Sequence, residues 1–342
     1  LIKCGHHVVL VSGTAVNKNR ELLDGRWDKH DTKDSANVAD LISQAKCLYY
    51  DYPSPPLRDL RSLLSLKRRL KKQEHSVKVR IRNHLLAQYF PELDRYFGKR
   101  CAESVAIVKW CLNPSMIAGM EYGEFVRLIA PRLKSIGQQK RLQSIWEMAI
   151  DSIGCEVGHE TAFEAQLMVE ELQRLRETIH EVDEHIEDIC LGFPEYSSLL
   201  TIPGFGPDVS SKVLGAIGNP FRFTNGKQVL KLTGYDLSAR RSGKTSDTSV
   251  PVISKRGKAY LRYALYQAAF VASTSNPHVM LYYTNKLRGR EKERGIRTKM
   301  RVKLAAKLLI IVHPVKCEAY LTGAWTLMKK KEPFNPEYLN RD

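Results

Sequence analysis

The stretch AQLMVEELQRLRETIHEVDEHIEDI, residues 165–189, decides how the rest of the chain is read. Its apolar positions Ala165, Met168, Leu172, Leu175, Ile179, Val182, Ile186 and Ile189 advance by alternating steps of three and four residues. That spacing keeps one apolar stripe on one side of a helix, and sustained over about three and a half heptads it predicts a coiled-coil seam. Between 160 and 190 the remaining surface carries ten acids against Arg174 and Arg176. This outer surface is either a solvated helix face or an acidic spacer that keeps phosphate away while holding two domains or two subunits apart.

Downstream, EYSSLLTIPGFGPDVSSKVLGAIGNPFRF begins at Glu195. Pro194 and Pro203 bracket a short helix, Pro207 suits the first turn of the next, and Gly218-Asn219 ends it. Helix, Pro-Gly-Phe-Gly, helix is the pattern of a helix-hairpin-helix. Gly204 and Gly206 let backbone approach closely, and the N–H groups opening the second helix suit a phosphate oxygen. A tight corner between two helices that touches no nucleic acid has the same pattern.

Upstream, the apolar positions from Leu57 to Leu86 fall near helical spacing, on a segment with ten Lys/Arg between 58 and 82 against Asp59 and Glu74. The last third is basic again. Arg240, Arg241, Lys244, Lys255, Arg256, Lys258 and Arg262 flank a Ser/Thr-rich loop, and residues 286–307 hold ten Lys/Arg against two Glu. Such a tract can follow several phosphates, with strong salt dependence. At the other end, Val8–Val11 reads as a short buried strand closed by Ser-Gly.

The net charge of +17 over 342 residues makes a polyanion the expected partner, and 43% hydrophobic content leaves room for two domains with real cores. No apolar run is long enough to span a bilayer, and the N-terminus lacks a signal-peptide pattern, so the expected location is cytoplasmic. Seven scattered cysteines without a C-x-x-C pair read as reduced thiols.

WDKHDTKDSANVADL, residues 27–41, holds a pair of carboxylates that suits a metal. Asp31 and Asp34 lie three apart, so on a helix both project from one face, and two hard oxygen ligands there suit Mg²⁺. Asp40 is half a turn out of phase. Taken alone, a D-x-x-D at a helix start most often serves N-capping and the helix dipole.

K-x-D-x-x-D at 29–34, the basic helix, the coiled coil, PGFG, LTGY at 232–235, RSG at 241–243 and SKRGKAYLRYALYQAA at 254–269 occur in that order. Together they resemble the DEDD-type insertion-sequence transposases of the IS-one-ten family, over nearly the whole chain. The resemblance implies a RuvC-like, RNase-H-fold domain with four acids, joined by a coiled coil to a transposase domain with a catalytic serine. It implies site-specific DNA recombination, a Mg²⁺ cofactor and, for some members, an element-encoded bridge RNA. Carried over, Asp31 and Asp34 match the third and fourth acids and bind metal, and Ser242 matches the nucleophile, with Ser238, Ser246 and Ser249 nearby. Such a serine attacks a phosphodiester and conserves the bond as a phosphoserine link. Arg240, Arg241 and Lys244 would stabilise phosphate charge, while Lys255, Arg256, Lys258 and Arg262 would position the DNA backbone.

The departure is at the N-terminus, where no acid in HVVLV matches the family's first and the second is also missing before Asp31. The expectation is therefore a shortened recombinase, its missing acids upstream of Leu1, that binds DNA and is impaired in recombining it. The architecture expected is mixed α/β and predominantly helical: a partial RuvC-like domain (1–100), a helical connector (101–159), a coiled coil (160–192) supporting a homodimer or tetramer, and a helical transposase domain with the hairpin (193–342). The competing readings are a non-catalytic basic DNA-binding protein and a RuvC-like metal-dependent nuclease.

Overall fold

Proline and small polar caps set where the helices begin. In a computed structural model that describes residues 2–24, 30–98, 102–132, 135–238 and 252–323, nearly all regular structure is helical. Chain contacts separate residues 1–55 with 218–224 from 56–217 with 225 onward.

In the first unit, β1 (Val9–Leu10) is followed by α1 (Gly13–Asp24), α2 (Asp31–Ser43) and β2 (Leu48–Tyr49). β1 and β2 pair antiparallel, Val9 opposite Tyr49 and Leu10 opposite Leu48. The run expected as a buried strand is thus only two residues of strand, and Leu10 is 52% exposed. A two-stranded ladder of two residues each is too small to make a buried strand of this run, and Val9 is half-buried while Leu10 is exposed. The α1–α2 pair is pinned by amides: Asn19 Nδ2 donates to Asn37 Oδ1 at 2.9 Å, and Asn37 Nδ2 donates to the Val16 carbonyl at 2.6 Å. Both asparagines are buried, so these bonds satisfy groups that would otherwise be costly to bury.

The second unit opens with α3 (Pro55–Arg80), which runs through a π-helical turn (Ile81–Leu86) into α4 (Ala87–Tyr89). Short helices follow: α5 (Asp94–Phe97), α6 (Ala102–Trp110), α7 (Pro114–Ala118), α8 (Tyr122–Ile129) and α9 (Ile136–Ile150). Asn113 caps α7 ahead of Pro114, and Ser135 caps α9 by accepting the Gln138 N–H. Their apolar faces meet the π turn and the first half of α10 (His159–Leu191) in one core that includes Ile81, Phe90, Phe125, Leu142 and Leu172.

The second core lies beyond the middle of α10. It is built from α11 (Pro194–Leu200), α12 (Pro207–Ile217), α13 (Gly226–Thr233), α14 (Ala259–Ser275), α15 (Pro277–Leu287) and α16 (Ile296–Gly323), and the β3–β4 hairpin (Leu237–Ser238, Val252–Ile253) stands at its edge with Leu237 and Val252 exposed. Ala264, Ala268, Ala269 and Ala272 make the buried face of α14 small, which lets α16 and the hairpin turn come close to its backbone.

The heptad seam is real, but this chain fills it. Ala165, Leu172, Ile179, Val182 and Ile186 are buried within the chain, where α10 packs on α6, α11, α12 and the π turn. The seam that supported a dimer is therefore covered by the chain's own helices, because a heptad stripe specifies an apolar partner and not whose helix supplies it. The acidic face has a partner as well. Lys67–Asp183 (2.6 Å), Arg176–Glu74 (3.5 Å) and Arg80–Glu171 (3.6 Å) join α3 to α10. Buried seam residues contribute about 1.5–3 kcal/mol each and exposed ion pairs about 0–1. Burial thus holds α10 in place, and the charges choose its direction.

Candidate functional site

The acidic pair stands at the start of α2. His30 is the N-cap, its Nδ1 accepting the Lys33 N–H at 3.3 Å, so neither aspartate does the capping. Asp31 and Asp34 both sit in the first turn, where negative charge complements the helix dipole. Asp31 is exposed. Asp34 Oδ1 accepts from Arg20 Nη2 at 2.7 Å and from Arg20 Nε at 3.2 Å, so a cation from α1 already occupies it. Asp40 points to other partners: the hydrogen bond from Asn19, then that from Gln44, holds its carboxyl below the usual range. Among the described residues no group of three or more His, Cys, Asp or Glu is placed to hold a metal ion. Two carboxylates, one of them bound by a guanidinium, do not make a Mg²⁺ site by themselves.

The helix-hairpin-helix forms as α11, a turn through Pro203–Gly206, and α12. Gly204 has φ +81°, and a Cβ there would lie 2.2 Å from the Ala268 carbonyl oxygen. This glycine is required by the fold, since it lets the turn press on α14. Gly206 faces open space, so it remains available for a ligand's approach. At the first turn of α12, Asp208 bonds Lys67 and Lys212 at 2.6 Å each. Burial would raise its carboxyl pKa, but the bonds from Lys212 and Lys67 hold it below the usual range. An acid thus already answers the positive end of this helix. A cleft of about 570 Å³ opens beside the turn, lined by Ile202, Pro203, Phe205, Val271, Asn276 and His278.

LTGY and SKRG interlock. Gly234 ends α13 at φ +71°, and a Cβ on it would strike the Arg256 nitrogen at 2.6 Å. A Cβ on Gly257 would strike the Leu232 carbonyl oxygen, also at 2.6 Å. The Lys255 N–H donates to the Gly234 carbonyl at 3.0 Å and the Lys258 N–H to the Leu232 carbonyl at 2.8 Å. Tyr235 donates its hydroxyl to the Arg262 carbonyl at 2.7 Å, and burial pushes that phenol well above its usual pKa.

Arg262 and Lys258, expected to hold DNA, hold protein. Arg262 Nη1 donates to the Thr233 carbonyl at 2.8 Å and to the Lys255 carbonyl at 3.3 Å. Lys258 Nζ donates to the Ala216 carbonyl at 3.1 Å, and Arg61 Nε to the Gly215 carbonyl at 2.7 Å, so two cations serve the C-terminal end of α12. Lys255 and Arg256 are exposed, and Lys255 sits in the left-handed region at φ +56°, a conformation that a non-glycine residue holds only under local constraint.

From this frame rises the β3–β4 hairpin, Leu237 opposite Ile253 and Ser238 opposite Val252. Ser242, Arg240, Arg241 and Lys244 belong to its connection, residues 239–251, which lies outside the described residues. At the hairpin's root Ser254 Oγ donates to Asp236 Oδ1 at 2.6 Å and the Ser254 N–H donates to the Asp236 carbonyl at 2.8 Å. Neither residue stands out by spacing; the one signal is that Asp236 directly follows LTGY and Ser254 opens SKRG.

Comparison with known families gives two matches. A DEDD transposase model for IS110 elements, described as Transposase, matches residues 1–91. A second, described as Transposase IS116/IS110/IS902 family, matches residues 196–284, from α11 through the hairpin frame into α15. No curated protein matches the chain.

Proposed function

We propose, from the premise that this chain belongs to the IS116/IS110/IS902 family of transposases, that it cuts and rejoins DNA strands through Ser242. The observation that supports this reading most is the interlock of LTGY with SKRG beneath the hairpin whose connection carries RSG. LTGY and SKRG, on either side of RSG in the sequence, lock into one frame, and a fixed frame is what a nucleophile carried between them needs for a repeatable approach. In the proposed step the serine oxygen forms a bond to phosphorus, the bond to one deoxyribose oxygen breaks, and that oxygen leaves with a proton. Rejoining is the reverse, with a deoxyribose hydroxyl as attacker.

Lys255 and Arg256 are the exposed cations nearest in sequence to this loop on its C-terminal side, and they fit phosphate contact. The family implies a divalent metal. Asp31 and Asp34 are the residues of this chain that match its acids, yet Arg20 on Asp34 leaves them an incomplete Mg²⁺ site, and no step is assigned to a metal here. DNA is the partner of a transposase. A bridge RNA is proposed on the family's behaviour alone, and a homodimer or tetramer would use surfaces other than the covered seam of α10. Among the described residues no helix is long and apolar enough to cross a membrane, which accords with work beside DNA in the cytoplasm.

The test is trapping on a nicked suicide DNA substrate. A covalent protein–DNA adduct that disappears in Ser242→Ala supports the serine reading. Cutting that survives Ser242→Ala but is abolished by Asp31→Asn and by chelation favours a metal-dependent nuclease, and binding with neither adduct nor cutting favours a DNA-binding protein.

A further inference from the structure

Phe270 of α14, Tyr283 of α15 and Arg301 of α16 meet at one place on the surface of the second unit. The Arg301 guanidinium carbon lies 4.3 Å from the centre of the Phe270 ring and 5.6 Å from that of Tyr283. Its Nε–H is enclosed and meets no acceptor among the described residues, so aromatic faces hold this cation where hydrogen bonds do not. One turn before it, Arg297 is exposed, and its carbonyl accepts the Tyr283 hydroxyl at 3.4 Å. The connection into α16 exposes Arg288, Lys292 and Arg294, and Lys286 stands 5.6 Å from the centre of the Tyr282 ring. Apolar side chains are open to solvent here as well: Phe270, under Arg301, is 42% exposed, and Met280, one turn before Tyr283 on α15, is exposed.

Cations alone would suit a duplex, whose phosphates dominate its outer surface and whose base faces are stacked inside. Exposed ring and thioether groups interleaved with arginine suit something else, because every unpaired base has an apolar face to cover. We propose that this face of α14, α15 and α16 binds single-stranded DNA, the cations following its backbone and Phe270 with its neighbours stacking on unpaired bases. The choice of DNA rests on the transposase reading, in which strand exchange passes through unpaired segments.

The test uses the full chain and fluorescence anisotropy at matched salt, with an oligothymidylate of about 20 nucleotides, its RNA counterpart and a duplex of similar length. Phe270→Ala is expected to weaken binding of the single strand roughly tenfold or more while leaving duplex affinity within about twofold. Phe270→Leu, which keeps an apolar side chain under Arg301 without a ring, should lose the single strand while staying folded and keeping its duplex affinity, its melting temperature lowered only by the lost ring contact with Arg301. Equal losses on strand and duplex, or no loss on either, would overturn the proposal. Tighter binding of the RNA than of the oligothymidylate would overturn its choice of DNA. A chain that binds duplex but no single strand refutes this face alone, whereas one that binds no DNA of either kind takes the transposase reading with it.

Discussion

Lys67 Nζ lies 2.6 Å from Asp183 Oδ1, tying the middle of α3 to the second half of α10. As residue number rises along α3, through Lys67, Glu74 and Arg80, it falls along α10, through Asp183, Arg176 and Glu171, so the two helices run antiparallel. The same ammonium reaches Asp208 at the start of α12, also at 2.6 Å, which makes Lys67 a junction of three helices. Burial would lower its pKa, but the hydrogen bonds it donates to Asp183 and Asp208 raise it, so it stays charged. Replacing Lys67 by Met leaves Asp183 without that cation and Asp208 with Lys212 alone. A loss of about 1–3 kcal/mol is expected, below the value for a fully buried pair because both acids are partly exposed. Urea unfolding of Lys67→Met against the parent checks it; an unchanged midpoint would refute the junction.

Glu74 gives a pH dependence whose sign can be worked out. Its side chain is 8% exposed, and burial alone would raise its carboxyl pKa. Hydrogen bonds from Lys78 and Lys71 outweigh that and bring it from 4.5 to about 2. The unfolded chain therefore binds the proton more readily, so the stabilisation is present above pH 4.5 and is lost as pH falls toward 2. The loss amounts to roughly 2–3 kcal/mol at full protonation. In Glu74→Gln that component of the acid dependence should vanish, read as a flatter plot of unfolding free energy between pH 5 and pH 2.5; an equally steep plot would count against the Lys71–Glu74–Lys78 cluster.

Gly204 and Gly206 separate fold from contact in the hairpin. Gly204→Ala places a methyl against the Ala268 carbonyl and asks alanine for φ +81°, two mechanisms that together should cost about 2–4 kcal/mol. Gly206→Ala meets no atom and should change stability by less than about 1 kcal/mol. If the turn touches DNA, Gly206→Ala is then the variant that weakens affinity at unchanged melting temperature. Equal melting shifts in the two variants would contradict the packing described.

What could be read from the sequence follows from how local each signal is. Proline and glycine punctuation located α11, α12 and the end at Gly218 because φ limits act within a few residues. The seam of α10 was visible for the same reason, yet α6, α11 and α12, which cover it, are elements whose identity no periodicity encodes. The opposite charges of α3 and α10 were equally plain, and were read as two separate surfaces because their meeting depends on the tertiary fold. Arg262 and Lys258 show the limit most sharply. Their residue type announces a cation, but their partners are main-chain carbonyls of Thr233, Lys255 and Ala216, which every residue has and no side-chain pattern marks. Asp34 is recognisable as an acid in the right motif, whereas Arg20, fourteen residues earlier on α1, gives no sign that it occupies that carboxylate.

The last prediction sets Arg262 against Arg256, two arginines in one motif with different work. Arg262→Gln removes the Nη1 bonds to the Thr233 and Lys255 carbonyls and loosens the frame under the hairpin, which should cost about 1–3 kcal/mol. Measured on protein that remains folded, its DNA affinity should stay within about twofold. Arg256→Gln touches an exposed side chain whose backbone N–H, not its guanidinium, bonds Ser254 Oγ at 3.3 Å, so melting should be unaffected. If that guanidinium meets a phosphate, the slope of log affinity against log salt should become shallower by about one, with similar losses on every sequence. Paired melting curves and salt titrations of the two variants decide between frame and contact. The reverse pattern, a stable Arg262→Gln that loses DNA and an unstable Arg256→Gln that keeps it, would return Arg262 to the DNA surface where its charge first suggested it belonged.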